Sequence, residues 1–555
     1  MGKVPGMAPS LILGPLLRYA GASDATVWVE TDAACEVEVL GHRARTFAVE
    51  GHHYALVLIT DLEPGETYEY AVALDDAQVW PESDSSFPPP VIRTIAPESD
   101  LTLAFGSCRV AMPQEPPYTL TRDEDSNGYE RDALRALALR MMREPRESWP
   151  DVLLMLGDQV YADEVSPGTR EFIRSRRDPD EGPGETVADF EEYTRLYWES
   201  WKDPVVRWLL STVPSAMIFD DHDVHDDWNT SGTWVRQMRS KWWWEERIVG
   251  AFVSYWIYQH LGNLSPRELD EDGLFNRVRE ADDATRILRE FAYRADREVA
   301  GTRWSYHRDF GNVRLLMIDS RAGRVLEEGR RFMVDEEEWA WIVDKADGDF
   351  DHLLFGTSLP LLMAPGLHRL EAWNEAVCAG AWGNLAARAG EFLRQLIDLE
   401  HWSAFQKSFE ALADLLRSVA AGERSGGDPP ASIVVLSGDV HHGYLAEALF
   451  GEEAKSPVYQ AVCSPMRNPL GRPERIAMRF GWSKLGERIG MALTRLAGVE
   501  EPSFRWHMKH EEPWFDNQVS TLRLEGRRAT LECEKTSPDD PEDPQLHDVF
   551  HHRLA

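Results

Sequence analysis

Apolar and polar positions alternate in short segments through the first hundred or so residues. Thr26-Val27-Trp28-Val29-Glu30 and Glu36-Val37-Glu38-Val39 place successive side chains on opposite faces, with Gly, Asp and His turns between such segments. A period of two predicts half-buried strands, and residues 10–96 are expected to form a small all-β sandwich domain. Pro88-Pro89-Pro90 leads into a last strand at Val91-Ile92-Arg93-Thr94, and Ala96-Pro97 reads as a linker. From residue 100 the pattern changes. Continuous apolar runs at Leu101–Phe105, Val152–Leu156, Ala216–Phe219, Val313–Ile318, Leu353–Phe355 and Ile433–Leu436 suit strands covered on both faces. Helical patterns separate them, notably Asp132–Met142, Trp234–Leu261 and Glu371–Val419, which predicts a layered α/β core. Trp242-Trp243-Trp244 cannot all face one core, so one or two of these indoles are expected against an insertion or the cleft. Asp178–Gly184, Ser425–Pro430 and Ser537–Gln545 read as polar loops. Gln518–Glu534 alternates about Gly526 like a hairpin, and residues 536–555 read as a polar C-terminal tail.

Composition narrows the class. The chain has 555 residues, enough for several domains or for one large core with an appendage. With 43% hydrophobic and 28% charged residues it is not a mostly disordered chain. Its 95 acidic residues outnumber 59 basic ones, for a net charge of -36. A field of that sign repels phosphate backbones, so no nucleic-acid surface is expected; carboxylates gathered in a cleft would instead call for cations. Five dispersed cysteines without a CxxC do not make a disulfide framework. Leu11–Leu17 followed by Ala20-Gly21-Ala22 resembles a signal peptide slightly, but Gly14-Pro15 interrupts it and a strand pattern continues directly. No run is long enough for a membrane span, and a cytoplasmic location is expected.

Four apolar runs end in polar clusters: Gly106-Ser107-Cys108-Arg109, Gly157-Asp158-Gln159-Val160-Tyr161, Asp220-Asp221-His222-Asp223, and Ser437-Gly438-Asp439-Val440-His441-His442. Residues just past strand carboxyl ends converge on one crevice in open α/β sheets. Taken singly, Asp158 is an ordinary turn former, Cys108 a small core residue, Tyr161 a packing residue and His441 a satisfied histidine. Four such clusters at equivalent places point to a metal site instead.

Gly-Asp-x-x-Tyr, Asp-Asp-His-Asp and Gly-Asp-Val-His, with Phe105-Gly106-Ser107-Cys108 and Ile318-Asp319-Ser320-Arg321, resemble the PhoD-like (alkaline phosphatase D) branch of the calcineurin-like metallophosphoesterases. Gly157-Asp158-x-x-Tyr161 is more distantly similar to purple acid phosphatases. The resemblance implies a four-layer αββα core over 97–535 with a two-metal site at one sheet edge. The β-sandwich has a counterpart in that branch, and Leu62-x-Pro64-Gly65 feeding Tyr68-x-Tyr70 resembles a fibronectin type III corner. The family layout implies that Asp158 bridges two metals. Cys108, Tyr161 and His441 complete one site, suited to Fe(3+), while Asp221 and Asp439 join Asp158 at a second, all-oxygen site suited to Ca(2+), with Mn(2+), Mg(2+) or Zn(2+) as substitutes. One family histidine has no counterpart, because its strand ends Phe355-Gly356-Thr357-Ser358-Leu359-Pro360; a loop oxygen or water is expected there, or a weakly held second metal.

The implied activity is hydrolysis of phosphomonoesters or phosphodiesters by metal-activated hydroxide. His222 is the expected general acid or electrostatic stabiliser at the leaving oxygen, with Asp223 orienting it. Arg109 either clamps a phosphate oxygen or pairs with the acidic surface. Asp226, Asp227 and Asn229 read as supporting or capping residues, His442 is left unassigned, and Asp319 and Arg321 are expected to pair. The alternative is a degenerate, non-catalytic phosphate- or calcium-binding interaction protein. A serine hydrolase is disfavoured by the lack of a Gly-x-Ser-x-Gly elbow. The expected partner is a small phosphate ester, whose class depends on how the insertions at 165–210 and 229–310 shape the cleft.

Overall fold

The computed structural model describes residues 8–298, 300–538 and 543–555. The amino-terminal strands form two four-stranded sheets. One runs Leu11–Ala20, Ala25–Thr31, His52–Ile59, Phe47–Val49; the other runs His42–Arg45, Glu36–Val39, Val72–Leu74, Ala77–Trp80. Val27, Val29, Val37 and Val57 fill the space between them. The opposite face of Ala25–Thr31 is also buried, because Trp28 belongs to the core of the α/β part. The sandwich is therefore fused to its neighbour by one strand with two dry faces. Arg18, fully buried, crosses the junction and donates to the carbonyls of Tyr258 and Gln259. The Glu63 N–H donates to the Tyr68 hydroxyl at 2.8 Å, the corner expected from Leu-x-Pro-Gly.

Two larger sheets follow. A six-stranded sheet has the order Ser215–Ile218, Val152–Leu156, Leu101–Gly106, Gln518–Glu525, Arg528–Thr536, Leu546–Arg553. Its first three strands are parallel, and Gln518–Glu525 joins antiparallel to Leu101–Gly106. A seven-stranded sheet has the order Tyr306–Phe310, Val313–Ile318, His352–Thr357, Ser432–Ser437, Val458–Val462, Tyr444–Leu449, Arg505–Met508. Five of the six apolar runs noted from the sequence lie wholly in these strands, and the sixth, Ala216–Phe219, runs one residue past Ser215–Ile218. Helices cover the sheets, giving the mixed α/β core behind an all-β unit that the sequence implied.

Three expectations change. Residues 546–553 are not a tail: they pair with Arg528–Thr536 as the sheet's outer strand, since an antiparallel partner satisfies an edge that would otherwise present bare N–H and C=O groups. The Ser537–Gln545 loop lies partly outside the described residues. The long pattern Glu371–Val419 resolves into Pro365–Cys378, Asn384–Leu396 and Gln406–Ala421, and Trp234–Leu261 into Gly232–Arg239 and Trp244–Tyr258 with a short turn after it. Trp242 is exposed, while Trp243 and Trp244 pack around His225. Leu11–Leu17 lies in the first strand.

Candidate metal centre

Each candidate ligand follows the carboxyl end of a strand. Leu101–Gly106 delivers Cys108, Val152–Leu156 delivers Asp158 and Tyr161, Ser215–Ile218 delivers Asp220, Asp221 and His222, and Ser432–Ser437 delivers Asp439 and His441. The first three strands belong to one sheet and the last to the other, so the site closes where the two meet. Backbone bonds lock the loops together: Cys108 N–H donates to the Gly157 carbonyl at 3.2 Å and Arg109 N–H to that of Asp158 at 3.1 Å. Gly438 admits no side chain, because a Cβ there would lie 2.0 Å from Ser107 Oγ, which itself accepts the Asp439 N–H at 3.1 Å. Cys108, Asp158, Asp439 and His441 have φ of 55°, 54°, 66° and 50°. Left-handed conformations at non-glycine residues cost on the order of 1 kcal/mol each and cluster at functional sites.

Two groups of ligand atoms result. Cys108, Asp158 and His441 place donor atoms within 4.8 Å of one another. The Cys108 thiol and the Tyr161 hydroxyl each lie 3.4 Å from Asp158 Oδ2. Asp158, Asp220, Asp221 and Asp439 form the second group by the same distance measure, and His222 joins Asp158 and Asp221 in a third combination. Asp220 was not singled out in the sequence as a candidate ligand, although it sits beside Asp221.

The donor set fits cations on its own chemistry. Asp158 Oδ1 and Asp220 Oδ2 are buried with no hydrogen-bond donor among the described residues. Burial, then Asp220, Asp221 and Asp223, push the Asp158 carboxyl well above its ordinary range. Burial, then Asp158 and Asp439, raise the Cys108 thiol in the same way, and Tyr161 is also raised by burial. Acids held protonated by crowding ionise when a cation enters.

One cation is already built in. Arg321, fully buried, was expected to pair with Asp319, yet Asp319 receives the backbone N–H groups of Arg321, Ala322 and Gly323 and not the guanidinium. The guanidinium instead reaches Asp220, Glu400 Oε1 at 2.6 Å, Asp221 Oδ1 at 3.0 Å and Asp439 Oδ1 at 3.4 Å. A planar, permanently charged fork spans several carboxylates where a pair with one would leave the others bare.

His222 Nδ1 bonds Asp163 Oδ1 at 2.9 Å, and its ring stacks on Tyr161. Asp223 does not orient it. Its Oδ2 accepts the N–H groups of Asp158 (3.0 Å) and Asp220 (2.9 Å), and its Oδ1 accepts from Gln259 Nε2 at 2.9 Å. Asp223 thus braces the loops. Burial opposes the His222 imidazolium, but Asp163, Asp221 and Asp158 outweigh it and raise its pKa well above the usual value. Arg109 neither reaches the cavity nor the surface: it is buried against Asp132, the N-cap of the Ala133–Met141 helix, and donates to Ser200. The Asp226 and Asp227 N–H groups donate to Asp163 and Asp221, Asp226 Oδ1 lies 3.9 Å from His222 Nε2, and Asn229 donates to the Arg321 carbonyl. His442 is buried against Tyr444, with Nδ1 on the Val440 carbonyl.

At the strand end where the family histidine is absent the hydroxyls are engaged, and a histidine from elsewhere in the chain reaches the acidic group instead. Ser358 Oγ is engaged with Ser320 Oγ at 2.8 Å and Thr357 Oγ1 accepts from Trp402. His401, from the segment before Gln406–Ala421, presents Nε2 to Asp439 Oδ2 at 2.9 Å, while Nδ1 meets Glu371 at 2.6 Å. Burial opposes its charge, but Glu371 and Asp439 raise its pKa well above the usual value, and Asp439 is held below the ordinary carboxylate range. Asp163, Asp220, Asp223, Arg321, Glu400 and His401 are the residues that sequence reading missed or misassigned; of these, Asp220, Asp223 and Arg321 lay in noted motifs. Asp221, His222, Glu371, Glu400, His401 and Asp439 form the polar side of a cavity of about 240 Å³, opposite an apolar wall that includes Met363, Leu367, Leu399 and Met478.

Residues 130–295 match the family model of PhoD-like phosphatases, and residues 8–92 match a domain of unknown function, DUF7800. No curated protein matches the chain. A solved structure of PhoD aligns over 99% of this chain and 92% of its own, with 12% identity and a TM-score of 0.57, which is a likeness of fold. A purple acid phosphatase from yellow lupin (Lupinus luteus) seeds aligns over 98% of this chain and 74% of its own, with 11% identity and a TM-score of 0.47.

Proposed function

We propose that the PhoD-like phosphatase domain carried by this chain makes it a metal-dependent phosphoric ester hydrolase acting on small phosphomonoesters, phosphodiesters or both. The observation that carries this reading is the convergence of Cys108, Asp158, Asp220, Asp221, Asp439 and His441 from two sheets, with bare carboxylate oxygens facing inward. Cys108, Asp158, Tyr161 and His441 would hold one ion. Their thiolate, phenolate and carboxylate favour Fe(3+), whereas the oxygen-only group of Asp158, Asp220, Asp221 and Asp439 favours Ca(2+), with Mg(2+), Mn(2+) or Zn(2+) as substitutes. Bound ions would supply Lewis acidity toward phosphoryl oxygens and an activated water.

The chain's own residues do the rest. Asp163 holds His222 in its protonated form at one nitrogen, so the other can give a proton to the departing alkoxide. His401 and Arg321 place positive charge beside Asp439, so the second group is not a set of uncompensated anions. The apolar wall receives the carbon portion of an ester and thins the water around it. Free cysteines throughout suit a reducing, cytoplasmic setting.

Arg321 also favours a second reading. A built-in guanidinium relieves the need for a second ion, as in a degenerate, non-catalytic protein that binds phosphate or calcium. Elemental analysis of the purified protein, with hydrolysis of p-nitrophenyl phosphate and bis-p-nitrophenyl phosphate, separates the two. His222→Ala is expected to lose about a hundredfold in rate with metal content unchanged. Metal bound without turnover in the parent protein supports the binding reading; full turnover in the variant removes His222 from the mechanism.

A further inference from the structure

Ten of the fourteen large apolar side chains left exposed among the described residues lie in two short segments, 382–397 and 476–496. These segments form the helices Asn384–Leu396, Arg472–Trp482 and Lys484–Ala497, which pack around Pro365–Cys378. Their amphipathicity is inverted. The residues of Lys484–Ala497 that face inward are Gly486, Gly490 and Thr494. Close approach requires this: a Cβ on Gly366 would lie 2.4 Å from the Gly481 carbonyl, and one on Gly490 2.7 Å from Arg369 Cβ. The outward face carries Leu485 (59% exposed), Ile489 (44%) and Leu496 (73%). Arg472–Trp482 turns Ile476 and Phe480 outward, and Asn384–Leu396 turns out Leu385, Phe392 and Leu396.

Charge follows the same face. In a chain of net charge -36, Arg472–Trp482 and Lys484–Ala497 together hold six basic residues and two acidic ones. Lys484, Arg488 and Arg495 are exposed, each directly before Leu485, Ile489 or Leu496. Arg472, Arg475 and Arg479 reach carboxylates, whereas Lys484, Arg488 and Arg495 enter no ion pair among the described residues. The surface shares Ile397 and Met478 with the lining of the cavity, and Trp382 Nε1 ties its far end to the Leu496 carbonyl at 3.1 Å.

Apolar side chains flanked by cations that are not held in close ion pairs are the composition of a helix that lies in a lipid–water interface: the apolar groups enter the acyl boundary and the cations meet headgroup phosphates. The distant acidic surface is screened beyond about 8 Å at physiological salt, so the local charge decides. We propose that these three helices form a docking surface for an anionic lipid bilayer and seat the cavity mouth at the membrane. This goes beyond the hydrolytic reading and does not depend on it, because docking needs no turnover.

The test is flotation of the full-length protein with vesicles of pure phosphatidylcholine or of equimolar phosphatidylcholine and phosphatidylglycerol, beside analytical ultracentrifugation without lipid. The parent protein is expected to partition onto the anionic vesicles at least about tenfold better than onto the neutral ones. The triple variant Leu485→Glu, Ile489→Glu, Leu496→Glu should lose about a hundredfold or more of that partitioning. Arg488→Glu with Arg495→Glu should remove the preference for anionic lipid. Hydrolysis of soluble bis-p-nitrophenyl phosphate, where present, should be the same in all three proteins. No partitioning of the parent protein, undiminished partitioning of the triple variant, or a dimer that the triple variant abolishes without any lipid binding overturns the proposal; the last result would assign the face to a second copy of the chain.

Discussion

Two carboxylates flank the loop that carries His222, and the distances give them different work. Asp163 meets the imidazole at 2.9 Å, while Asp223 spends both oxygens on the N–H groups of Asp158 and Asp220 and on Gln259. Asp163→Asn should therefore lower the rate about tenfold to a hundredfold and leave metal content intact. Asp223→Asn should act on the loops, reducing bound metal and stability together. Equal rates for Asp163→Asn and the parent protein, with only Asp223→Asn impaired, would restore the simpler reading in which the neighbouring Asp orients the ring. Arg321 shows the same lesson about adjacency. Its guanidinium ignores Asp319 and spans four carboxylates from other segments. Removing such a buried charge leaves uncompensated anions, so it is better regarded as part of the site's charge balance than as a structural pair.

At the scale of elements, what was legible in the sequence was what is local. An apolar run followed by a polar cluster marks a buried strand and its carboxyl end, and that placed Cys108, Asp158, Tyr161, Asp221, Asp439 and His441 in four converging clusters; their selection as ligands within those clusters came from the resemblance to PhoD-like phosphatases. Glu400 and His401 were not legible, because nothing near them in the chain announces a ligand neighbourhood, and Asp163, two residues past Tyr161, is tied to His222 only by the fold. His401 meets Asp439 only because Pro365–Cys378 and Gln406–Ala421 fold back over the second sheet. Helix breaks were missed for a related reason: Gly380 and Gly383, with φ of 103° and 81°, interrupt an apolar periodicity that continues on either side. The outer strand Leu546–Arg553 was hidden by polarity, since an edge strand with one wet face needs few apolar residues. The inverted helices yield a stability test. Adding one methyl by Gly366→Ala drives a Cβ into the Gly481 carbonyl and should cost about 1–3 kcal/mol. Leu485→Gln, on the outer face, should change urea stability by less than about 0.5 kcal/mol. The reverse ranking would mean that the leucine face is packed and the glycine face is loose.

Across the whole molecule, the sandwich acts as a brace for the α/β part. Arg18 grips the carbonyls at the end of Trp244–Tyr258; Gln259, next in the chain, bonds Asp223, which holds the Asp158 and Asp220 loops. A second clamp is electrostatic. His52, on a sandwich strand, bonds Glu30 at 3.0 Å and Glu191, on Phe190–Trp201, at 2.8 Å. Burial opposes the charged ring, but Glu191 and Glu30 outweigh it and raise its pKa from 6.5 to about 9, while the His52 contact draws Glu191 below its ordinary value. A group with a raised folded pKa contributes fully below its unfolded pKa and loses that contribution as pH climbs through the folded one. The clamp should thus be worth about 2–3 kcal/mol below pH 6.5, weaken between there and pH 9, and be absent above that. Urea denaturation of the parent protein and of His52→Gln at several pH values measures it. The stability gap between them should be widest near pH 6 and close by the full 2–3 kcal/mol (about) toward pH 10. A gap that stays constant over that range would mean the junction is held by its aromatic packing and Arg18 alone, with the histidine a neutral spacer between two acids.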